Sequence, residues 1–116
     1  MATTIWHNPR CSKSRQTLAL LEERGIDPIV RRYLEDAPSK TELVEVIDQL
    51  GITPWELLRR TETIFKTLGL NKNSPDGELI TAMLQHPILI ERPIVVHGNA
   101  AAMGRPPEQV MSLFDC

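Results

Sequence analysis

The chain has 116 residues and a formal net charge of −2 at pH 7. This length fits one domain of ordinary size, and the near-neutral charge excludes the strongly basic class of nucleic-acid or membrane-surface binders. Hydrophobic residues make up 41% of the chain, yet the longest apolar runs are too short to span a bilayer. Residues 1–4 lack the basic region and apolar core of a secretion signal, so we expect a cytoplasmic protein with a single domain over residues 1–116.

Hydrophobic periodicity and turn residues predict alternating strands and helices in the first half of the chain. Two capping boxes, each a Ser or Thr followed three residues later by Glu, predict helix starts at Ser39 and Thr53. Gly51 fits the end of the first of these two helices. The predicted elements of this half are a strand over residues 3–6, a helix over residues 14–24, a strand over residues 28–34, a helix over residues 40–50 and a short helix from residue 54 to about residue 60.

The second half predicts more helices and then a β-hairpin. Helices are predicted over residues 62–68 and 78–85, a hairpin over residues 93–103 with Gly98-Asn99 as its turn, and a last helix that follows Glu108. Two strands around the first helix, a block of helices and a late hairpin predict an α/β protein. The predicted architecture is a thioredoxin-like fold with a mixed four-stranded sheet and a helical insertion between strands 2 and 3.

Cys11 lies where the first predicted strand turns into the first predicted helix. A helix N-terminus presents unpaired N–H groups and about half a positive charge, both of which stabilise a thiolate. Such a cysteine is expected to have a pKa below the free value of about 8.5, and the same groups would hold an oxyanion. The alternative, a buried structural cysteine, needs apolar neighbours. The neighbours are instead basic or ionisable: His7, Arg10, Lys13 and Arg15.

The other cysteine, Cys116, is the last residue of the sequence. Ser14 stands where a Cys-x-x-Cys motif would have its second cysteine, and a structural disulfide is not expected in a reducing cytosol. Electrons that regenerate Cys11 should therefore come from another molecule, unless the terminal segment brings Cys116 back to it. The histidines and acids show no metal-ligand spacing, so no metal is predicted.

Six blocks of the sequence, in this order, resemble the bacterial glutaredoxin-coupled arsenate reductases of the ArsC family. They are residues 7–15 (His-Asn-Pro-x-Cys-x-x-Ser-Arg), 33–35, 57–59, 83–90, 92–96 and 104–106, and together they extend over nearly the whole chain. Ser12-Lys13 is a departure, because the characterised reductases have Gly-Thr after the cysteine. The chain is thus closer to an ArsC-like subgroup, in which Lys13 would strengthen anion binding or change the anion that is bound.

The resemblance implies that the Cys11 thiolate attacks arsenate to give a thiol–arsenate ester. Glutathione then adds to the arsenic as a co-substrate, glutaredoxin takes the glutathione, and arsenite is formed, with no bound cofactor. The resemblance also implies three oxyanion ligands, and arginine suits this role because its planar fork donates paired hydrogen bonds. These arginines are Arg59, Arg92 and Arg105.

The resemblance implies supporting roles for three further residues. His7 is expected to favour the thiolate, and Ser14 to form a hydrogen bond near it. Pro93 stands at the position of the cis-proline that faces the active cysteine in thioredoxin-like domains. A cis bond there is expected to turn Arg92 towards the start of the helix that carries Cys11.

Two other functions fit part of the same pattern. One is a thiol oxidoreductase that acts on glutathione mixed disulfides and has no arsenic chemistry. The other is a regulatory binding protein of the Spx type, which contacts RNA polymerase. Spx-type proteins commonly carry Cys-x-x-Cys, which this chain lacks, and the arginines favour an enzyme that binds an anion.

Overall fold

The computed structural model describes residues 2–114, so Cys116 lies outside the described residues. The described chain forms two compact units. Unit 1 comprises residues 2–36 and 92–114, and unit 2 comprises residues 37–91. The single domain assigned from the sequence stays a prediction.

Unit 1 contains a four-stranded mixed sheet with the strand order β2-β1-β3-β4. The first two strands run parallel and are joined by helix α1, Ser12–Glu23, whereas the other two pairs are antiparallel. This topology confirms the predicted thioredoxin-like fold. The strands are β1 (Thr3–Trp6), β2 (Ile29–Arg31), β3 (Ile94–His97) and β4 (Ala100–Met103).

The core of unit 1 lies between the sheet and two helical segments. Alternating β-branched and apolar residues on β1 and β3 point one side chain in two towards this core. Pro107–Leu113 forms a 3-10 helix that contributes to it, where an ordinary helix was predicted. Its backbone bonds span three residues rather than four: the Gln109 N–H donates to the Pro106 carbonyl and the Phe114 N–H to the Met111 carbonyl, each at 3.0 Å. One cluster of fully buried residues in this core consists of Ile5, Leu21, Val95 and Val110.

Unit 2 is the helical insertion between β2 and β3. Both predicted capping boxes form: Ser39 Oγ accepts from the Glu42 N–H at 3.1 Å, and the pair Thr53 and Glu56 repeats the arrangement. Gly51 ends α2 in the left-handed conformation, at φ +67°. The helices are α2 (Lys40–Leu50), α3 (Pro54–Leu57), α4 (Thr63–Leu68), α5 (Asp76–Gln85) and a 3-10 helix over Pro87–Leu89.

A short antiparallel bridge between Leu58 and Ile90 ties two segments of unit 2 together. The Arg59 N–H donates to the Leu89 carbonyl at 2.6 Å, and the Glu91 N–H donates to the Leu57 carbonyl at 2.9 Å. The apolar side chains on its two segments are all buried: Leu57, Leu58, Leu89 and Ile90. The backbone positions of Arg59 and Glu91 are therefore fixed by the bridge, and their side chains extend from it.

Several predicted boundaries are wrong by a few residues. Strand β2 covers only Ile29–Arg31 rather than residues 28–34, because the N–H groups of Glu35 and Asp36 both turn back to the Arg32 carbonyl at 2.9 Å. Helix α3 ends at Leu57 rather than near residue 60, because the next residues enter the bridge. Helices α1 and α5 each begin two residues earlier than predicted.

None of the helices within residues 2–114 has the length and apolar character needed to cross a membrane.

Candidate active site

Cys11 is the N-cap residue of α1, with an extended backbone at φ −94° and ψ 122°. The Asn8 carbonyl accepts from the Cys11 N–H at 3.0 Å, which closes the turn between β1 and the helix. The Cys11 side chain makes no capping hydrogen bond, but the backbone N–H groups of Ser14 and Lys13 lower the pKa of its thiol. The predicted location at a strand-to-helix turn is confirmed.

Arg105 contacts Cys11 directly. Its Nη2 lies 3.7 Å from the Cys11 Sγ, and its Nε donates to the Arg92 carbonyl at 2.7 Å. The second bond holds the guanidinium through the backbone of the segment that leads into β3. A cation fixed beside the sulfur stabilises the thiolate and can also hold an oxyanion next to it.

The pKa of Cys11 is set by opposing effects. Burial of the thiol raises its pKa, whereas the N–H groups of Ser14 and Lys13 lower it. The positive charges of Arg105 and Arg92 lower it further, so that the pKa lies below its ordinary value. This direction agrees with the prediction from the helix N-terminus.

His7 is buried at the end of β1 and bonds to Ser14. The His7 Nδ1 and the Ser14 Oγ are 2.7 Å apart, and the Asn8 N–H donates to the same Ser14 oxygen at 3.1 Å. Burial lowers the pKa of His7, and the charges of Arg32 and Arg15 lower it further. The lowered pKa favours the neutral imidazole, so the contact of His7 with the site is its bond to Ser14. That bond orders Ser14, whose backbone N–H lowers the pKa of Cys11.

Pro93 and Gly104 meet beside the first turns of α1. The Arg92–Pro93 peptide bond is cis, as the resemblance implies, and the Arg105–Pro106 bond, which was not predicted, is cis as well. The Gly104 N–H donates to the Pro93 carbonyl at 3.0 Å. A Cβ on Gly104 would overlap the Thr17 hydroxyl and lie 2.7 Å from Pro93 Cγ. Only glycine therefore fits immediately before Arg105.

The other two predicted oxyanion ligands differ in their surroundings. Arg92 is 6% exposed in unit 1, and its charge acts on Cys11. Arg59 lies in unit 2, where Glu62 and Glu91 pair with its guanidinium at 3.1 Å and 2.8 Å. Its part in anion binding stays a prediction.

Sequence reasoning missed four residues around these arginines. Gly104 lies in the last of the six blocks and Thr17 lies in α1, and nothing in the local sequence indicates that the two residues are close. Glu62 and Glu91 are acids on separate segments with no shared motif. Within residues 2–114, no three His, Cys, Asp or Glu side chains are grouped so as to hold a metal ion.

The chain matches the family model described as "ArsC family" over residues 6–113. It belongs to the ArsC family. Cys11, Arg92 and Arg105 all fall within the matched segment.

Relatives of similar length support this membership. An arsenate reductase of Haemophilus influenzae is 46% identical over 98% of this chain and 100% of its own length. An uncharacterised Escherichia coli protein, YfgD, is 48% identical over 94% of this chain and 93% of its own. The solved structure of an arsenate reductase from Vibrio cholerae superposes with a TM-score of 0.92 at 50% identity, covering 97% of each chain.

Proposed function

We propose that this protein is an arsenate reductase whose nucleophile is Cys11. The observation that carries the proposal is the Arg105 guanidinium 3.7 Å from the Cys11 Sγ, at the N-terminus of α1. That arrangement offers a thiolate and an anion-binding cation to the same small ligand. The names of the relatives in Haemophilus influenzae and Vibrio cholerae point to arsenate as this ligand.

In the proposed reaction, the Cys11 thiolate attacks arsenic and displaces an oxygen, which leaves as water after protonation. The glutathione thiolate attacks the arsenic of the resulting thiol–arsenate ester and displaces a second oxygen as water. The glutaredoxin thiolate then attacks the glutathione sulfur and removes the glutathione as a mixed disulfide. As this disulfide forms, the sulfur–arsenic bond to glutathione breaks and leaves its electron pair on arsenic, which reduces As(V) to As(III). Hydrolysis of the remaining bond between arsenic and the Cys11 sulfur then releases arsenite and the free thiol. Overall, one arsenate and two thiols give one arsenite, one disulfide and one water.

The residues divide the work according to their chemistry. Arg105 and Arg92 bind the oxyanion and keep Cys11 ionised. His7 fixes Ser14 and thereby the N–H groups that face the sulfur. Arg59 is proposed as a third oxyanion ligand on the resemblance alone, and the cytoplasm, with its reduced glutathione, is the proposed compartment.

The test is NADPH oxidation with arsenate, glutathione, glutaredoxin and glutathione reductase present. Arsenate-dependent oxidation is expected, and omission of arsenate is the control. Oxidation of NADPH with a glutathione mixed disulfide but not with arsenate would instead identify a general thiol oxidoreductase. No turnover in either assay would favour a regulatory binding protein.

A further inference from the structure

Arg59 in unit 2 is held between two carboxylates. Its Nε donates to Glu62 Oε2 at 3.1 Å, and its Nη1 donates to Glu91 Oε1 at 2.8 Å. The three side chains are only 21–24% exposed. These bonds are therefore shielded from solvent and stronger than an ordinary surface ion pair.

The backbone fixes this arrangement from both sides. Arg59 and Glu91 flank the buried bridge between Leu58 and Ile90. Glu62 is the N-cap residue of α4, but its side chain makes no capping bond and bonds to Arg59 instead. Burial alone would lower the pKa of Arg59, but the two carboxylates raise it above its ordinary value, so the guanidinium stays charged.

The charge balance of the trio limits what Arg59 can offer to an anion. One guanidinium and two carboxylates have a net charge of −1. A guanidinium has five N–H donors, of which the bonds to Glu62 and Glu91 use two. The guanidinium keeps three further donors in a fixed position, with two negative charges directly beside it.

We infer that Glu62 and Glu91 set the affinity of Arg59 for tetrahedral oxyanions: they hold the guanidinium in place and weaken its attraction for a dianion. The inference rests on the proposed role of Arg59 as an oxyanion ligand. Phosphate and arsenate share shape and charge, so an arginine without neighbouring carboxylates would attract both equally and strongly. With a weakened attraction, phosphate and other unreactive anions occupy the site only a small part of the time. Arsenate is then selected by its reaction with the Cys11 thiolate rather than by tighter binding.

The experiment measures binding of inorganic phosphate to the full-length protein by calorimetry at low ionic strength. Phosphate is the probe because it binds without reacting. Glu62→Gln and Glu91→Gln remove a charge but keep an oxygen that accepts from Arg59. Each is expected to lower the Kd for phosphate roughly three- to tenfold, the size expected from one unit charge a few ångströms from a bound anion, and added salt should reduce the gain.

The matched control is Glu45→Gln, which makes the same charge change on the exposed surface of α2 and should leave the Kd unchanged. Glu62→Ala and Glu91→Ala remove the charge and the bond together, so they should tighten binding less than the glutamine variants. Urea unfolding of every variant checks that the fold is retained.

The outcomes separate the inference from the proposal beneath it. If Arg59→Ala leaves phosphate binding unchanged, Arg59 is not an oxyanion ligand, and both its proposed role and the inference about its carboxylates are wrong. If Arg59→Ala weakens binding but neither glutamine variant tightens it, only the inference about the carboxylates is overturned. Absence of arsenate turnover would contradict the proposed reaction without affecting the phosphate titration.

Discussion

The reactivity of Cys11 depends on a balance between burial and stabilising contacts. Burial alone would favour the neutral thiol, but the helix N–H groups and two guanidinium charges favour the thiolate. Because the pKa is lowered, the thiolate persists to lower pH in the folded protein than in the unfolded chain. Ionisation of Cys11 therefore stabilises the fold above the unfolded pKa, and this contribution is lost as the pH falls through the lowered value.

Replacement of Arg105 should raise the pKa of Cys11. Arg105→Gln removes the positive charge 3.7 Å from the sulfur, so the thiolate loses a stabilising neighbour. The measurement is the rate of alkylation by iodoacetamide between pH 5 and pH 10. The inflection should lie below about 8.5 in the wild type and move upward in the variant.

The control for this measurement is Arg24→Gln. Arg24 follows the last residue of α1, at the opposite end of the helix from Cys11. This variant makes the same charge change, and the inflection should stay where it is in the wild type. An Arg105→Gln protein with an unmoved inflection would show that the contact does not control the thiolate.

At the scale of elements, local signals predicted the structure well. Ser39 and Thr53 were assigned as helix caps from residues three apart, and both capping boxes form. The errors occur where distant segments decide the structure. The end of α3 is set by a bridge to Ile90, about 30 positions further along the chain, which no periodicity encodes.

In the candidate site too, local sequence predicted some features, whereas others depend on residues far apart in the chain. The position of Cys11 at a helix start follows from its neighbours in sequence. Arg105 is 94 positions from Cys11, and no spacing rule brings them together, so that pairing came only from the family resemblance. Glu91 is 32 positions from Arg59 and belongs to no motif, so it was not predicted at all.

Gly104 should be required for both stability and the active site. A Cβ there would overlap the Thr17 hydroxyl and crowd Pro93, and forced overlap in a packed region costs about 1–3 kcal/mol. Gly104→Ala is therefore expected to lower the free energy of unfolding by about that amount in urea titrations. Because Arg105 is the next residue, the alkylation inflection of Cys11 should also move upward.

Gly77 offers a matched control. It lies in α5, and a Cβ added to it would meet no atom within 4 Å. Gly77→Ala should stabilise the protein by about 0.5–1 kcal/mol, because alanine favours the helix more than glycine does. If the two alanine variants had equal stability, close packing at Gly104 would not be its constraint.

At the scale of the whole molecule, the number of thiols in the chain determines how many reducing thiols other molecules must supply for the proposed reaction. Reduction of arsenate to arsenite takes two electrons, and two thiols supply them by forming a disulfide. Cys11 is the only free cysteine among residues 2–114. If Cys11 serves only as the nucleophile and Cys116 takes no part, both reducing thiols come from other molecules, and the chain regenerates without an internal disulfide.

This argument predicts different outcomes for the two cysteines. Cys11→Ser should abolish arsenate-dependent NADPH oxidation, because a serine hydroxyl is not ionised near pH 7 and is a far weaker nucleophile. Cys116→Ser should retain the wild-type rate, with one NADPH oxidised per arsenite formed, since two glutathione molecules become one disulfide. Arsenite is quantified separately to fix this ratio. An inactive Cys116→Ser protein that still unfolds like the wild type would mean that the second thiol takes part, and the external-thiol scheme would be wrong.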